Sequence, residues 1–196
     1  MRLVKQPECC GKESGENEMK SIVESVRYRS LFKTGLGYGG VIAGEKGVVG
    51  VFLPFSGESA DVLAKRISLL YPFAVNESRV TREAAISLHN YFAGERVSFD
   101  IPIDRSCFTQ FQDEVYRAVS CIPYGSVKSY GEIASLIGRP KAARGVGVAM
   151  ARNPLPVIIP CHRVVGSSGN LTGYSAAGGV SSKKWLLHME GVSLPE

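Results

Sequence analysis

A cysteine and a histidine stand side by side after an apolar run, in the sequence Ile158-Ile159-Pro160-Cys161-His162. Cysteine attacks as its thiolate and has an ordinary pKa of about 8.5, so an adjacent imidazole can activate it as a base. Cys161 and His162 could therefore provide a nucleophile and its base. An isolated Cys-His pair is more commonly a buried structural cysteine beside a surface histidine, so the flanking residues must distinguish these interpretations.

The residues before Cys161 predict a rigid support for the thiol. Val157 to Ile159 are β-branched, which favours a short buried strand. Pro160 has no N–H to donate to a sheet, so pairing should stop there and the chain should turn. We therefore expect Cys161 at the end of a strand.

The composition is that of an ordinary soluble protein, with 21% charged and 44% hydrophobic residues among 196. A net charge of +5 and a pI near 9.0 modestly favour a polyanionic partner. Neither a membrane-spanning run nor a signal-peptide core is recognisable. Five cysteines at irregular spacing argue against a disulfide framework, so we expect the cytoplasm, or the nucleus in a eukaryote.

The N-terminal half reads as a polar arm followed by an α+β domain. Residues 1–18 are polar and predicted to be disordered. Cys9-Cys10 could suggest zinc, but adjacent cysteines lack the usual ligand spacing, so free thiols are the better interpretation. Over residues 19–95, a strand near Tyr28 and a hairpin around Gly44-Glu45-Lys46-Gly47 precede two helices.

The two helices of this domain have clear sequence limits. The first spans Asp61–Tyr71 with Leu63, Ile67 and Leu70 on its inner face. The second should be capped by Thr81 and stopped by Gly94. Residues 96–107 are predicted to connect this domain to a second one over residues 108–196.

The second domain is predicted to be mostly helical and to contain a helix-turn-helix. Thr109 with Gln112, and Ser129 with Glu132, form capping boxes that open two helices. Gly138 stops the second of them, and a further helix should run from Lys141 to about Arg152. Two short helices around a tight glycine-containing turn are typical of a helix-turn-helix.

The helix from Lys141 has an apolar face of Val146, Ala149 and Met150 and an opposite stripe of small residues. Ala143 and Gly147 form that stripe, with Lys141 and Arg144 beside it. Small residues let a helix approach a partner closely, or let it pack against another helix of the same protein. The sequence leaves both possibilities open.

Near the C-terminus, a last helix over Lys183–Met189 leads to Glu190 and Gly191. Glu190 is the only acidic residue after Glu132 apart from Glu196. It could be an exposed carboxylate or a buried partner for His162.

Several short motifs occur in a fixed order along residues 108–191. They are Ser129-Tyr130-Gly131-Glu132-Ile133-Ala134, Pro140-Lys141-Ala142-Ala143-Arg144, Asn153-Pro154, Ile159 to Val165, Gly173-Tyr174, Trp185-Leu186-Leu187 and Glu190-Gly191. With one insertion at Ala176-Ala177, this ordered set resembles the O6-alkylguanine-DNA alkyltransferases, also called methylated-DNA–protein-cysteine methyltransferases.

The resemblance implies a ribonuclease-H-like N-terminal domain and a C-terminal domain that transfers an alkyl group from guanine O6 in DNA to Cys161. Cys161 would be the nucleophile and His162 the base, acting through a water, with Glu190 orienting the imidazole. Asn153 would brace the reactive turn, and Tyr130 would donate its hydroxyl toward the guanine.

The resemblance also assigns the pocket and the DNA-binding residues. Tyr174 would line the pocket, and the backbone of Cys161, Val164 or Ser175 would read the base edges. Arg144 would replace the flipped base in the stack, and Lys141 would bind phosphate. The Ala143–Gly147 stripe would fit the minor groove of double-stranded DNA that carries O6-alkylguanine.

Further expectations are a monomeric protein, no metal or other cofactor, and one reaction per molecule. Activity on O4-alkylthymine is left open. Three rival functions need separating. A non-catalytic relative that binds alkylated DNA would lack the cysteine. A transcriptional regulator would need base-reading side chains on its helix. A cysteine hydrolase would have no use for a helix-turn-helix.

Overall fold

The computed structural model describes residues 27–171 and 174–193. The predicted arm and the Cys9-Cys10 pair lie outside these residues. The described chain divides into two compact units, residues 27–107 and residues 108–193, and mixes α-helices with β-strands. None of its helices is both long enough and apolar enough to cross a membrane.

The first unit is a four-stranded sheet with two helices. Its elements in chain order are β1 (Arg27–Thr34), β2 (Gly37–Gly44), β3 (Gly47–Phe52), α1 (Ala60–Leu70), β4 (Ala74–Asn76) and α2 (Arg79–Phe92). The strand order is β3-β2-β1-β4, with β1 antiparallel to β2 and parallel to β4. The predicted hairpin is confirmed, since Gly44 pairs with Gly47 across the turn.

The core of this unit forms where α1 packs on the sheet. Leu63 and Ile67 cluster with Ile42 and Phe52, as the helical spacing predicts. Leu70 does not join them and remains 50% exposed, because the helix ends there. The segment predicted to be a connection pairs at Ile103 with Val48 of β3.

The second helix of this unit starts earlier than predicted. Its N-cap is Ser78, and Thr81 is the third helical residue of the same capping box. Each side chain accepts a hydrogen bond from the backbone of the other, at 3.2 Å and 2.9 Å. The prediction of Thr81 as the cap was therefore wrong by three residues.

The second unit consists mainly of helices around the Cys161 segment. Its elements are α3 (Gln110–Ser120), β5 (Lys128–Ser129), α4 (Tyr130–Leu136), α5 (Ala143–Ala151), β6 (Val164–Val165) and α6 (Gly179–Met189). Thr109 and Ser129 each form the predicted capping box. The short strands β5 and β6 pair in parallel, placing the start of α4 beside the end of the Cys161 segment.

Two helices of this unit begin at other residues than predicted. Helix α5 begins at Ala143 instead of Lys141, because Arg139 to Ala142 form a turn closed by a 2.8 Å backbone hydrogen bond. Helix α6 begins at Gly179 instead of Lys183, and it buries Ser182 and Lys183 within its first half. The predicted apolar face of α5, formed by Val146, Ala149 and Met150, is confirmed.

Candidate active site

The segment that carries the thiol is a braced turn. Asn153 accepts a hydrogen bond from the N–H of Leu155 at 3.0 Å and donates to the carbonyl of Ile159 at 2.9 Å. Val157 adopts a φ of +76°, which β-branched residues rarely tolerate. The prediction of a strand over Val157–Ile159 was therefore wrong, because side-chain bracing by Asn153 overrides β propensity.

Directly after Pro160, residues Cys161–Arg163 form one turn of 3-10 helix. The backbone N–H of Arg163 donates to the Pro160 carbonyl at 2.9 Å. Three side chains with different chemistry therefore leave one tight turn in different directions. Cys161, His162 and Arg163 are all buried.

Cys161 is buried, with 4% of its surface exposed. Burial raises its pKa, which makes the protonated thiol the resting form. The polar side chains of Asn153 and Tyr174 act in the opposite direction on this pKa and favour the thiolate. A base and a positive charge are therefore required when the thiol reacts.

The imidazole of His162 is held by a buried carboxylate. Nε2 of His162 lies 2.8 Å from Oε1 of Glu190, and both side chains are fully buried. Of the two possibilities that the sequence left open for Glu190, the structure shows the buried partner of His162. Burial lowers the pKa of His162, against the opposing effect of the Glu190 carboxylate. A neutral His162 must carry its proton on Nε2 to bond the carboxylate, so Nδ1 is the nitrogen that can accept another.

Two buried cations complete the site, and neither was predicted from the sequence. Arg163 donates two hydrogen bonds to Glu190. One runs from Nε to Oε2 and the other from Nη2 to Oε1, each at 2.9 Å. Nζ of Lys183 donates to the Val164 carbonyl at 2.5 Å and lies 5.8 Å from the centre of the Tyr130 ring.

Lys183 is 1% exposed, and burial lowers its pKa to about 8, against the opposing charge of Cys161. It is therefore a cation close to its own titration point beside the thiol. Lysines and arginines are ordinarily exposed, so the residue types alone carried no signal that these two are buried. The adjacency of Arg163 to the Cys-His pair was the only hint.

An open cavity of about 530 Å³ adjoins these residues. It is lined by Tyr130, Ala143, Arg144, Gly147, Ala151, Tyr174 and Ser175. Tyr174 connects the cavity to the thiol, because it lines the cavity and also acts to lower the pKa of Cys161. The hydroxyl of Ser175 donates to the Ala151 carbonyl at 2.6 Å, which ties the segment before α6 to the end of α5.

The structure thus brings most predicted site residues together, with two exceptions. Val164 is buried and does not line the cavity, and its carbonyl accepts a hydrogen bond from Lys183. Lys141 is exposed in the turn before α5 and also lies outside the lining. Within residues 27–171 and 174–193, no group of three or more His, Cys, Asp or Glu side chains is placed to hold a metal ion.

Comparisons with known proteins find relatives of a single kind. Residues 110–192 match the family model for the DNA-binding domain of 6-O-methylguanine DNA methyltransferase. A methylated-DNA–protein-cysteine methyltransferase of Methanosarcina acetivorans is 50% identical over 117 residues, which are 60% of this chain and 73% of the relative. A protein of the same name from Bacillus subtilis, described as constitutive, is 46% identical over 58% of this chain and 68% of its own.

The fold is similar to solved structures over most of the chain. Mycobacterium tuberculosis O6-methylguanine methyltransferase matches with a TM-score of 0.67 and 33% identity, covering 87% of this chain and 97% of the other. The M. tuberculosis protein in complex with DNA matches with a TM-score of 0.67, 35% identity and coverage of 84% and 93%. Fold and site together define a DNA-binding protein with a cysteine nucleophile. The chain belongs to the methylated-DNA–protein-cysteine methyltransferase family.

Proposed function

We propose that this protein repairs DNA by transferring an alkyl group from O6 of an alkylated guanine to Sγ of Cys161. The observation that carries the proposal is a buried thiol next to a buried His162–Glu190 pair, in a chain of this family. The carbon–sulfur bond forms as the carbon–oxygen bond breaks. The thiolate sulfur supplies the electron pair of the new carbon–sulfur bond. The guanine oxygen keeps the electron pair of the broken carbon–oxygen bond.

The protons in this reaction move between groups of the site. His162 accepts the proton of the Cys161 thiol, through a water as the family resemblance implies, and Glu190 orients the resulting imidazolium. Lys183 supplies positive charge near the thiolate. The two groups interact electrostatically, since each charge shifts the pKa of the other group toward its charged form. Tyr130 donates its hydroxyl toward the departing guanine.

The product is a thioether, which has no simple route back to a thiol. Each molecule should therefore react once. Asn153 holds the turn that presents the thiol, as its two hydrogen bonds to the turn backbone support. Tyr174 and Ser175 provide one wall of the base pocket, as their place in the cavity lining supports. Val164 contributes through its carbonyl bond to Lys183 instead of lining the pocket.

DNA binding is assigned to α4 and α5, which we propose form a helix-turn-helix whose second helix enters the minor groove. Ala143 and Gly147 of α5 line the cavity and present little bulk toward a partner. Because the alkylated base lies inside the duplex, it must flip out, and exposed Arg144 would fill the space that it leaves. Lys141 would bind a phosphate.

The two compact units support an assignment of domains. We propose that residues 19–95 form a ribonuclease-H-like domain, that residues 96–107 connect it, and that residues 108–196 bind DNA and transfer the alkyl group. The strand order β3-β2-β1-β4, with a parallel β4, supports the first assignment. The protein would act as a monomer in the compartment that holds the DNA.

Intact-protein mass after incubation with alkylated duplex DNA tests the proposal. The protein should gain the mass of one alkyl group, with a plateau at one group per molecule whatever the excess of O6-methylguanine substrate. Cys161→Ala should gain no mass. Matched controls are Cys121→Ala and Cys107→Ala, which remove exposed thiols and should react normally. An alkyl group on another cysteine, or turnover beyond one equivalent, would refute the assignment. O4-alkylthymine in the same duplex tests the wider substrate range.

A further inference from the structure

Arg163 binds the same carboxylate oxygen as the proposed base. Its Nη2 donates to Oε1 of Glu190 at 2.9 Å, and Nε2 of His162 lies 2.8 Å from that oxygen. Nε of Arg163 donates to the other oxygen, Oε2, also at 2.9 Å. The guanidinium therefore forms a bidentate contact with the carboxylate, which is the arrangement in which arginine differs most from lysine.

Arg163 is itself held from several sides. Its Nη1 donates to the Ile122 carbonyl at 2.7 Å, and its guanidinium carbon lies 5.9 Å from the centre of the Tyr124 ring. The backbone N–H of Gly125 adds a further hydrogen bond to Glu190, at 3.2 Å. With 8% of its surface exposed, Arg163 is a fixed charge at low dielectric and not a mobile surface side chain.

The charges around His162 show what this fixed cation does. Lys183 in α6 and Glu190 at the C-terminal end of α6 both face the imidazole of His162. Arg163 and Cys161 belong to the same turn as His162. An unopposed buried carboxylate would keep a proton on the imidazole. A protonated His162 could not accept the proton of the Cys161 thiol. Burial is the largest cause that lowers the pKa of His162, and the Arg163 charge, which opposes the carboxylate, lowers it further, as Lys183 also does.

We propose that Arg163 is a positioning residue for the transfer reaction. It cancels the charge of Glu190, so that the carboxylate orients a neutral His162 without holding it permanently protonated. The inference rests on the proposed function, because it assumes that His162 acts as the base. Arg163 lies outside the cavity lining and acts through the Glu190 carboxylate that it shares with His162.

The test separates charge from shape with two variants. Arg163→Gln keeps hydrogen-bond donors but loses the positive charge. Arg163→Lys keeps the charge but cannot make the bidentate contact with Glu190. The titration of His162 is followed by NMR on protein labelled at its three histidines, with His89 and His188 as internal references. In Arg163→Gln the His162 midpoint should rise by about one pH unit or more, a tenfold change in proton affinity. In Arg163→Lys it should stay near the parent value.

The rate of alkyl transfer should follow the same pattern. Because the reaction needs neutral His162, a raised midpoint removes activity at low pH and restores it as the pH increases. The acid limb of the pH–rate profile should therefore move upward in Arg163→Gln by the amount seen in the titration. Arg117→Gln is the matched control, since Arg117 makes an exposed pair with Asp113 in the same unit. Its profile should equal that of the parent.

Two results would overturn the proposal. One is a His162 midpoint in Arg163→Gln that is unchanged or lower. The other is a loss of thermal stability with an unchanged pH–rate profile, which would mean that Arg163 serves the fold alone. Should Arg163→Gln fail to fold, Arg163→Met keeps the aliphatic length and carries the same expectation. The titration needs no substrate, so it can fail in a protein that still transfers alkyl groups, and the proposed function would then stand.

Discussion

The two units of this protein bury different kinds of side chain. In residues 27–107 the core is apolar, and the buried polar residues there are Ser30 and Thr81, which hydrogen-bond each other at 2.9 Å. In residues 108–193 the buried set includes two cations, a carboxylate and an imidazole: Arg163, Lys183, Glu190 and His162. Removing an ion from water costs several kcal/mol even after relaxation. Charges are therefore buried where the proposed chemistry uses them, and the other unit is held together by apolar contacts.

Within the second unit, the buried charges come as a connected group. Glu190 accepts from His162, Arg163 and the Gly125 backbone, so its negative charge is compensated on several sides. Lys183 is compensated less, with a carbonyl partner and a lowered pKa. This contrast predicts that substitutions of the buried charges in the second unit affect the transfer rate. Substitutions in the apolar core of the first unit should affect stability alone.

The largest effect is expected for Glu190→Ala. It leaves Arg163 buried without its carboxylate, which should lower the free energy of unfolding by about 3–5 kcal/mol. Loss of the group that orients the base should also reduce the transfer rate by about a hundredfold. Urea unfolding and single-turnover kinetics measure the two effects.

Glu190→Gln is the matched control for that change. It keeps the shape and some hydrogen bonds, so it should be less destabilised while the transfer rate still falls. A Glu190→Ala protein with parent stability would show that the buried charge group is not coupled as the distances indicate.

A smaller and different effect is expected for Lys183→Met. The ammonium no longer has to be buried, but the Val164 carbonyl loses its donor, which costs about 1–3 kcal/mol. These contributions oppose each other, so the melting temperature should change little. The transfer rate should fall about tenfold, because each pKa unit by which the thiolate is disfavoured corresponds to a factor of ten.

Lys184→Met is the control for Lys183→Met, because this neighbouring lysine is exposed. It removes the same charge from the chain and should leave the transfer rate close to that of the parent. Equal losses in the two variants would mean that net charge, and not the buried ammonium, governs the reaction.

The smallest effect is expected for Ile67→Val in the apolar core of the first unit. Removing one methylene from a fully buried side chain should lower the free energy of unfolding by about 1 kcal/mol. The transfer rate of the folded protein should not change. A decrease in that rate, measured below the unfolding transition, would contradict the division between an apolar core in the first unit and buried reactive groups in the second.

Local sequence was enough to predict the features that depend on neighbours in the chain. The capping boxes of Thr109 and Ser129 each join residues three positions apart, and the hairpin needs the glycines at its turn. The ordered motifs around Cys161 were likewise enough to indicate the family. Such signals survive in the sequence because both partners of each interaction lie within a few residues of one another.

The features that only the folded chain reveals involve distant partners. Arg163 and Glu190 are 27 residues apart, His162 and Glu190 are 28 apart, and Arg163 reaches Ile122 across 41. The turn at Val157 contradicts the β propensity of its residues, because Asn153 supplies hydrogen bonds that outweigh it. Burial of a charge depends on which groups the fold brings to it, and a residue type alone cannot specify that.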